Sequence, residues 1–527
     1  TQLGVNSAAI AFSTVTMESD RFICVRDLQQ QLINIVDVQA KTLTTNKVNA
    51  ESAIMNPASR VLALRTSTQL QIFNLDMKSR MREHTMREEI LFWKWISTNT
   101  IAIVTENSVY HWSIDGTSTP KKMFDRHENL KGATIINYRV DNSAQWLLLI
   151  GLAKVDNATK GVMQLFSVEK KVTQAIEGHA AAFCDFKLSP TYTATIICIA
   201  ATTLASGGKL FVMEVPGSKP ADAPAFQRKA VPIQFQTPQD FPVAMQASEK
   251  HGIIYMITKG GFLYLYDIDT ATLIYRNRIS AETIFVTAPH ESTHGILGVN
   301  KVGQVLSVSV NEQTIIPFLT KSGQTELAIK LAARANLSGA DDLYVQQFNN
   351  LLNQMNIEEA VKCAVDSPQG ILRTPQTVQR LQRLPILPNQ KPPLSQYFQY
   401  IIERDRLNNY ESVELARIVL QKAGGAEYIK KLLAENKLEP TEELGDLLAP
   451  YSNEVAMKIY LGAKAHEKII NNLLGVGDYV RVLQYCQKVG YQANYLDLFR
   501  RVVQLNPAVA DKFAVTLNEK PETALDP

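Results

Sequence analysis

Among the 527 residues, His290-Glu291-Ser292-Thr293-His294 has the plainest spacing for chemistry. HExxH holds zinc when both imidazoles lie on one face of a helix, with the glutamate as general base. Here Pro289 precedes the motif and Gly295 follows it, between the apolar runs TIFVTA and ILGV. That context predicts a β-turn in which the two rings need not converge, and no third ligand stands nearby in sequence. Gly207-Gly208-Lys209 lacks the spacing of a phosphate loop and reads as a turn. Trp93 and Trp95 read as part of a strand rather than a cofactor platform. No GxSxG, catalytic carboxylate pair or Cys/His nucleophile arrangement stands out. The expectation is a non-enzyme with no cofactor and no metal; the alternative is a zinc hydrolase using the HExxH loop.

Residues 69–86, QLQIFNLDMKSRMREHTM, suggest peptide recognition instead. Gln69, Gln71, Phe73 and Leu75 alternate with Leu70, Ile72 and Asn74, the period of a strand. A reversal near Asp76 and a basic run of Lys78, Arg80 and Arg82 follow. An aromatic and two amides beside three cations would suit an acidic, leucine-bearing peptide. The ordinary alternative is an edge hairpin whose cations discourage strand pairing.

The elements that position these residues follow from composition and period. Apolar residues make up 46% of a chain long enough for more than one domain. With 54 cations against 51 acids, net charge +3, no broad basic field for nucleic acid is expected. Five scattered cysteines without a CxxC read as reduced thiols of a cytoplasmic protein. No signal peptide is expected, nor any membrane-spanning run; TATIICIAATTLA reads as a buried strand. The sequons at Asn157 and Asn336 are expected to go unused, and a start on Thr1 suggests a trimmed fragment.

A pattern of large apolar, small polar or acidic, then apolar residue recurs seven times. Its middle residues are Asp37, Asn74, Ser113, Ser167, Glu214, Asp267 and Ser309, at intervals of 37, 39, 54, 47, 53 and 42. Such intervals suit four short strands per unit, and seven units arranged radially bury faces that none could bury alone. The expectation is a seven-bladed β-propeller over residues 1–316; two successive β-sandwiches are the alternative. After Thr320 the period changes to that of short amphipathic helices, broken by the proline-rich residues 384–393. Ser412 and Thr441 stand where caps would. Antiparallel pairs of such helices stack into an α-solenoid. A helical linker is expected over 317–384 and the start of a rod over 385–527. No long heptad seam predicts a coiled coil, so the chain is expected to be monomeric.

Residue strings then carry a resemblance. SAIMNPAS, LQIFN, FWKWIS, VYHWS, MFDRH, IINYR, IEGHAA, DFPVAMQ, ETIFVTAPHE, GQVLSV, GILRTP, EELGDL and KVGY together resemble the clathrin heavy chain family, in one register over essentially the whole chain. The resemblance implies a propeller, a linker and the start of a helical leg. It also implies a structural coat role at the cytoplasmic face of coated pits and vesicles, in endocytosis and vesicle transport. Trimerisation and light-chain binding are expected beyond Pro527. Another propeller–solenoid trafficking scaffold is the alternative within this class.

The family binds leucine-rich acidic "clathrin box" motifs of adaptors between its first two blades. That implies a groove at Leu62, Gln69, Gln71, Phe73, Lys78 and Arg80, with Gln69 where threonine is common. Asn46 stands where arginine is common, and Lys47 is expected to supply the charge. An arrestin-type groove between the fourth and fifth blades is implied at Trp146, Leu165, Lys170, Gln174 and Ile176; Trp146 and Leu165 read equally as blade core. Lys170 replaces a usual arginine, keeping charge but losing the planar fork. A third site, at the top centre, is implied at Phe12, Thr134 and Ile136, with Thr134 replacing glutamine.

Overall fold

The computed structural model describes residues 3–155, 158–189, 191–203, 207–217, 219–237, 239–386 and 391–518. Asn157 and the middle of the proline-rich break lie outside them. The chain divides into two compact units, Thr1–Ala340 and Asp341–Pro527.

The first unit is a seven-bladed propeller. Its seven antiparallel sheets follow one another in sequence, six of four strands and the last of three among the described residues. Each pairs consecutive strands, so every connection within a blade is a hairpin. The third strands are Leu32–Asp37, Gln69–Asn74, Ser108–Ser113, Ala158–Ser167, Gly207–Glu214, Phe262–Asp267 and Val305–Val308. Six of the seven recurring polar residues close these strands, and Ser309 follows the seventh. Turn chemistry explains the recurrence. Asp37 Oδ1 accepts from the Ala40 N–H at 2.9 Å, Asn74 Oδ1 from the Asp76 and Met77 N–H groups, and Asp267 Oδ2 from the Thr270 N–H. Four residues after Asp37, Asn74, Ser167 and Asp267, the backbone is left-handed at Lys41, Lys78, Lys171 and Ala271. The same turn is thus reused around the ring.

Strand alternation fills the spaces between blades. Phe22, Ile33 and Ile35 of blade 1 pack with Met55, Leu62 and Leu64 of blade 2. Ile72 of blade 2 packs with Trp93, Trp95 and Trp112 of blade 3. The ring closes where Ile23 and Val25 meet Leu297 and Val299 of blade 7. Each such fully buried aliphatic side chain contributes about 1.5–3 kcal/mol. The apolar run expected as a buried strand is one, Tyr192–Thr203 of blade 5.

Helices α1 (Ile315–Lys321) and α2 (Thr325–Ala335) complete this unit. The first begins before the change of period near Thr320, because Pro317 is tolerated in a first helical turn. Arg334 of α2 donates to the His251 carbonyl at 2.9 Å, pairs with the Asp267 carboxylate and lies over the Phe186 ring.

The second unit holds twelve helices among the described residues, α3 (Asp341–Asn353), α4 (Ile357–Val365), α5 (Pro375–Arg383), α6 (Pro393–Arg404), α7 (Asn409–Val419), α8 (Gly425–Ala434), α9 (Glu442–Leu448), α10 (Asn453–Ala463), α11 (His466–Gly475), α12 (Tyr479–Val489), α13 (Tyr495–Leu505) and α14 (Pro507–Asn518). Sequential neighbours such as α3 and α4, α9 and α10, and α13 and α14 pack together. Thr441 caps α9 as its position suggested, accepting from the Leu444 N–H at 3.1 Å. Ser412 does not cap a helix. Asn408 and Glu411 form a capping box that starts α7 four residues earlier than Ser412 would, leaving Ser412 inside the helix as an acceptor for the Glu439 N–H. No described helix is long and apolar enough to cross a membrane.

Candidate peptide-binding grooves

The groove between blades 1 and 2 is built by strand parity. Phe73 pairs with Leu62, and Gln71 with Leu64, so Gln71 and Phe73 face blade 1. Leu70 and Ile72 alternate with them, fully buried toward blade 3. Leu62 is buried and its cross-strand partner Phe73 is half-buried, so part of an apolar surface stays exposed there. Lys78 is exposed, in the left-handed turn at the end of the strand (φ 51°). Among the described residues no carboxylate lies within ion-pair distance of it.

The three cations of residues 69–86 do not stay together. A β-bulge falls between Ile72 and Phe73, placing Arg80 opposite Phe73 but Arg82 opposite Ile72. The extra residue reverses side-chain parity. Arg80 therefore lines the groove. Arg82 turns toward blade 3, donates to the Ser118 carbonyl at 2.5 Å and lies over the Trp112 ring.

Parity also separates Asn46 from Lys47. Asn46 pairs with Ile33, whose side chain packs toward blade 2. Lys47 shares its face with Leu43, which packs toward blade 7. Lys47 is thus directed away from the groove that it was expected to serve, while Asn46 faces it. The Asn46 Nδ2 is buried with no hydrogen-bond partner among the described residues.

Between blades 4 and 5 lies a cleft of about 510 Å³ lined by Leu165, Gln174, Ile176, Ile197, Phe211 and Arg228, among others. Leu165 pairs with Gln174 across the third and fourth strands of blade 4, which brings both to the lining. Leu165 is buried in the inter-blade core, and Trp146 packs at the edge of that core without lining the cleft. Lys170 sits exposed in the turn after Ser167, whose Oγ accepts from its N–H, and does not line the cleft.

Of the residues implied for the third site, Phe12 is exposed and meets Phe285 edge-on, ring centres 6.2 Å apart. Thr134 and Ile136 belong to the first strand of blade 4. No ring contact or hydrogen bond joins them to Phe12 among the described residues. Near the axis, burial raises the Glu18 carboxyl and lowers the Lys94 ammonium, each partly offset by the other's charge.

The HExxH residues form a hairpin turn rather than a helix. His290 ends the first strand of blade 7, Gly295 begins the second, and His294 is left-handed (φ 53°). His290 Nδ1 lies 2.8 Å from Thr293 Oγ1 and 3.0 Å from Ser307 Oγ, while the His294 ring meets His251 edge-on. The described residues hold no cluster of three or more metal-ligating side chains. Gly207 and Gly208 open a strand of blade 5, with residues 204–206 outside the description.

Comparison with known proteins fits this architecture. The family model described as "Clathrin propeller repeat" matches residues 277–311, spanning the strands of blade 7, and "Clathrin-H-link" matches residues 336–401. The clathrin heavy chain of Drosophila melanogaster is 48% identical, over 100% of this chain and 32% of its own length. The chain belongs to the clathrin heavy chain family. Clathrin heavy chain 2 of Homo sapiens is 47% identical over 99% of this chain and 32% of its own. A probable clathrin heavy chain 1 of Caenorhabditis elegans is 43% identical over 98% of this chain and 31% of its own. The chain thus spans about a third of the length of these clathrin relatives.

The sequence reading missed Glu83. It stands opposite Gln71 and so faces the blade 1–2 groove of this clathrin-family propeller. Its carboxylate accepts from the Gln69 amide and, at 3.4 Å, from the Gln71 amide, and pairs with Arg80 at 2.5 Å. The signal was the alternation of Gln69, Gln71 and Phe73, had it been extended across the hairpin to their partners. The bulge hid it.

Proposed function

We propose that this chain is the adaptor-binding and leg-initiating part of a clathrin coat scaffold, acting without catalysis at the cytoplasmic face of coated pits and vesicles. In this reading residues 1–316 bind adaptors, 317–384 link, and 385–527 begin the lattice-forming leg. The observation that carries it is the half-buried Phe73 paired with Leu62, flanked by Lys78 and Arg80. Burying one peptide leucine there contributes about 1.5–3 kcal/mol. An exposed ion pair to Lys78, or to Arg80 in competition with its Glu83 partner, adds only about 0.2–1 kcal/mol. The apolar anchor therefore sets most of the affinity, and the cations orient the peptide.

Ordering costs leave a single motif at roughly micromolar to near-millimolar Kd. Adaptors carrying several motifs gain through effective concentration. The cleft between blades 4 and 5, with Leu165, Gln174 and Ile176, is the second peptide site in this reading, and Phe12 marks the third. Calorimetric titration of a leucine-acidic peptide tests it: Phe73→Ala should weaken binding more than Lys78→Ala at moderate salt. Equal binding by both variants and the parent would place the site elsewhere. Sedimentation should show a monomer at micromolar concentration.

A further inference from the structure

The groove between blades 1 and 2 contains a carboxylate of its own, and we propose that Glu83 determines which peptides it accepts. Acidic residues are read at the Lys78 end, and a lysine, arginine or amide side chain is preferred at the Glu83 end. This rests on the peptide-binding reading above.

The register orders the groove. Lys78 lies at one end, followed by the Phe73–Arg80 pair, then the Gln71–Glu83 pair, then Gln69. Two residues along a strand span about 7 Å, so neighbouring side chains of an extended peptide meet different pairs. The Glu83 side chain is 34% exposed, sheltered by the groups that it binds. Arg80 is already neutralised by it, and both glutamine amides are turned to it. A peptide carboxylate arriving above Gln71 would meet a like charge whose surrounding donors are already engaged. A carboxylate offers about four acceptor positions, of which three are used here, so a donor-bearing side chain finds one left. Lys78, with no carboxylate within ion-pair distance among the described residues, is the cation that remains available for acids. Like charges set against each other are a common way to reject a wrong partner.

The test uses the full chain and peptides with one leucine core. One peptide carries aspartates on both sides of the leucines, and two carry aspartates on one side and lysines on the other, in the two possible orders. At low salt, one of the mixed-charge peptides should bind the parent about fivefold more tightly than the doubly acidic one. That factor combines one exposed attraction gained with one exposed repulsion avoided. The gap should close in Glu83→Gln and Glu83→Ala and shrink as salt is raised. Thermal melts of both variants should match the parent. A doubly acidic peptide that binds the parent at least as tightly as both mixed peptides overturns the proposal, as does a gap that persists in Glu83→Gln. Should Phe73→Ala bind every peptide as the parent does, the groove reading itself fails, and the role of Glu83 with it.

Discussion

Arg80 and Arg82 lie two residues apart on one strand yet face different blades, because the bulge at the Ile72–Phe73 pairing reverses the parity between them. Arg80 pairs with Glu83 in the groove, while Arg82 lies 5.8 Å from the Trp112 ring centre. Their substitutions should therefore separate. Arg82→Ala loses a cation–π contact and a charge-assisted hydrogen bond, about 1–2 kcal/mol of stability, with peptide affinity unchanged. Arg80→Ala should alter affinity while shifting stability by no more than about 0.5 kcal/mol. Urea unfolding and calorimetric titration of the same two proteins would check both halves.

Charge reversal probes the groove more strongly than charge removal. Lys78→Glu combined with Arg80→Glu replaces weak attraction by repulsion beside Glu83. An acidic peptide should lose more affinity than a neutral leucine peptide, and added salt should narrow the difference. A titration series at two ionic strengths measures this. Equal losses for the two peptides would mean that the cations act through the shape of the groove rather than through charge.

How far the architecture could be read from sequence depended on whether local chemistry repeats. Asp37, Asn74, Ser167 and Asp267 were visible because each forms the same turn at the end of a third strand. The alternation around Phe73 was equally plain, since one face had to be buried. Arg82 and Glu83 were misread or missed for one physical reason, whereas Lys47 was misplaced by plain alternation beside Asn46, in a pairing without a bulge. Which blade a side chain faces depends on cross-strand register, and a single bulge changes it without leaving a mark in composition. Ser412 failed differently. Two cap-forming residues compete within one turn, and the reciprocal pair of Asn408 and Glu411 prevails.

Arg334 of α2 should matter to the propeller's stability. It pairs with the Asp267 carboxylate, whose side chain is fully buried, and reaches the His251 carbonyl. Arg334→Ala strands a buried charge, which costs about 3–5 kcal/mol. Arg334→Lys keeps the charge but cannot reach the carboxylate and the carbonyl with one rigid fork, so it should recover only part of the loss. Thermal unfolding of the two variants should rank parent, lysine, then alanine. If alanine melts with the parent, Asp267 is held by its Thr270 bonds alone.

His111 gives the fold a defined sensitivity to acid. Burial, aided by the nearby Lys121 charge, lowers its pKa from 6.5 to about 4, and its ring lies 2.9 Å from the Tyr138 hydroxyl. Below the unfolded-state value the unfolded chain takes up a proton that the folded ring refuses. Stability thus falls as pH drops from about 6.5 toward 4, and is unaffected by this group above that window. At pH 5 the contribution is about 2 kcal/mol. His111→Gln keeps a polar group facing Tyr138 but cannot titrate. Its own cost should appear at pH 7.5, and the stability difference from the parent should then shrink, or reverse, by that ~2 kcal/mol at pH 5. Denaturant unfolding of both proteins at the two pH values measures this difference, which cancels the titration of carboxylates common to both. A difference that stays constant between pH 7.5 and pH 5 would show that the folded His111 ring accepts its proton as readily as the unfolded one.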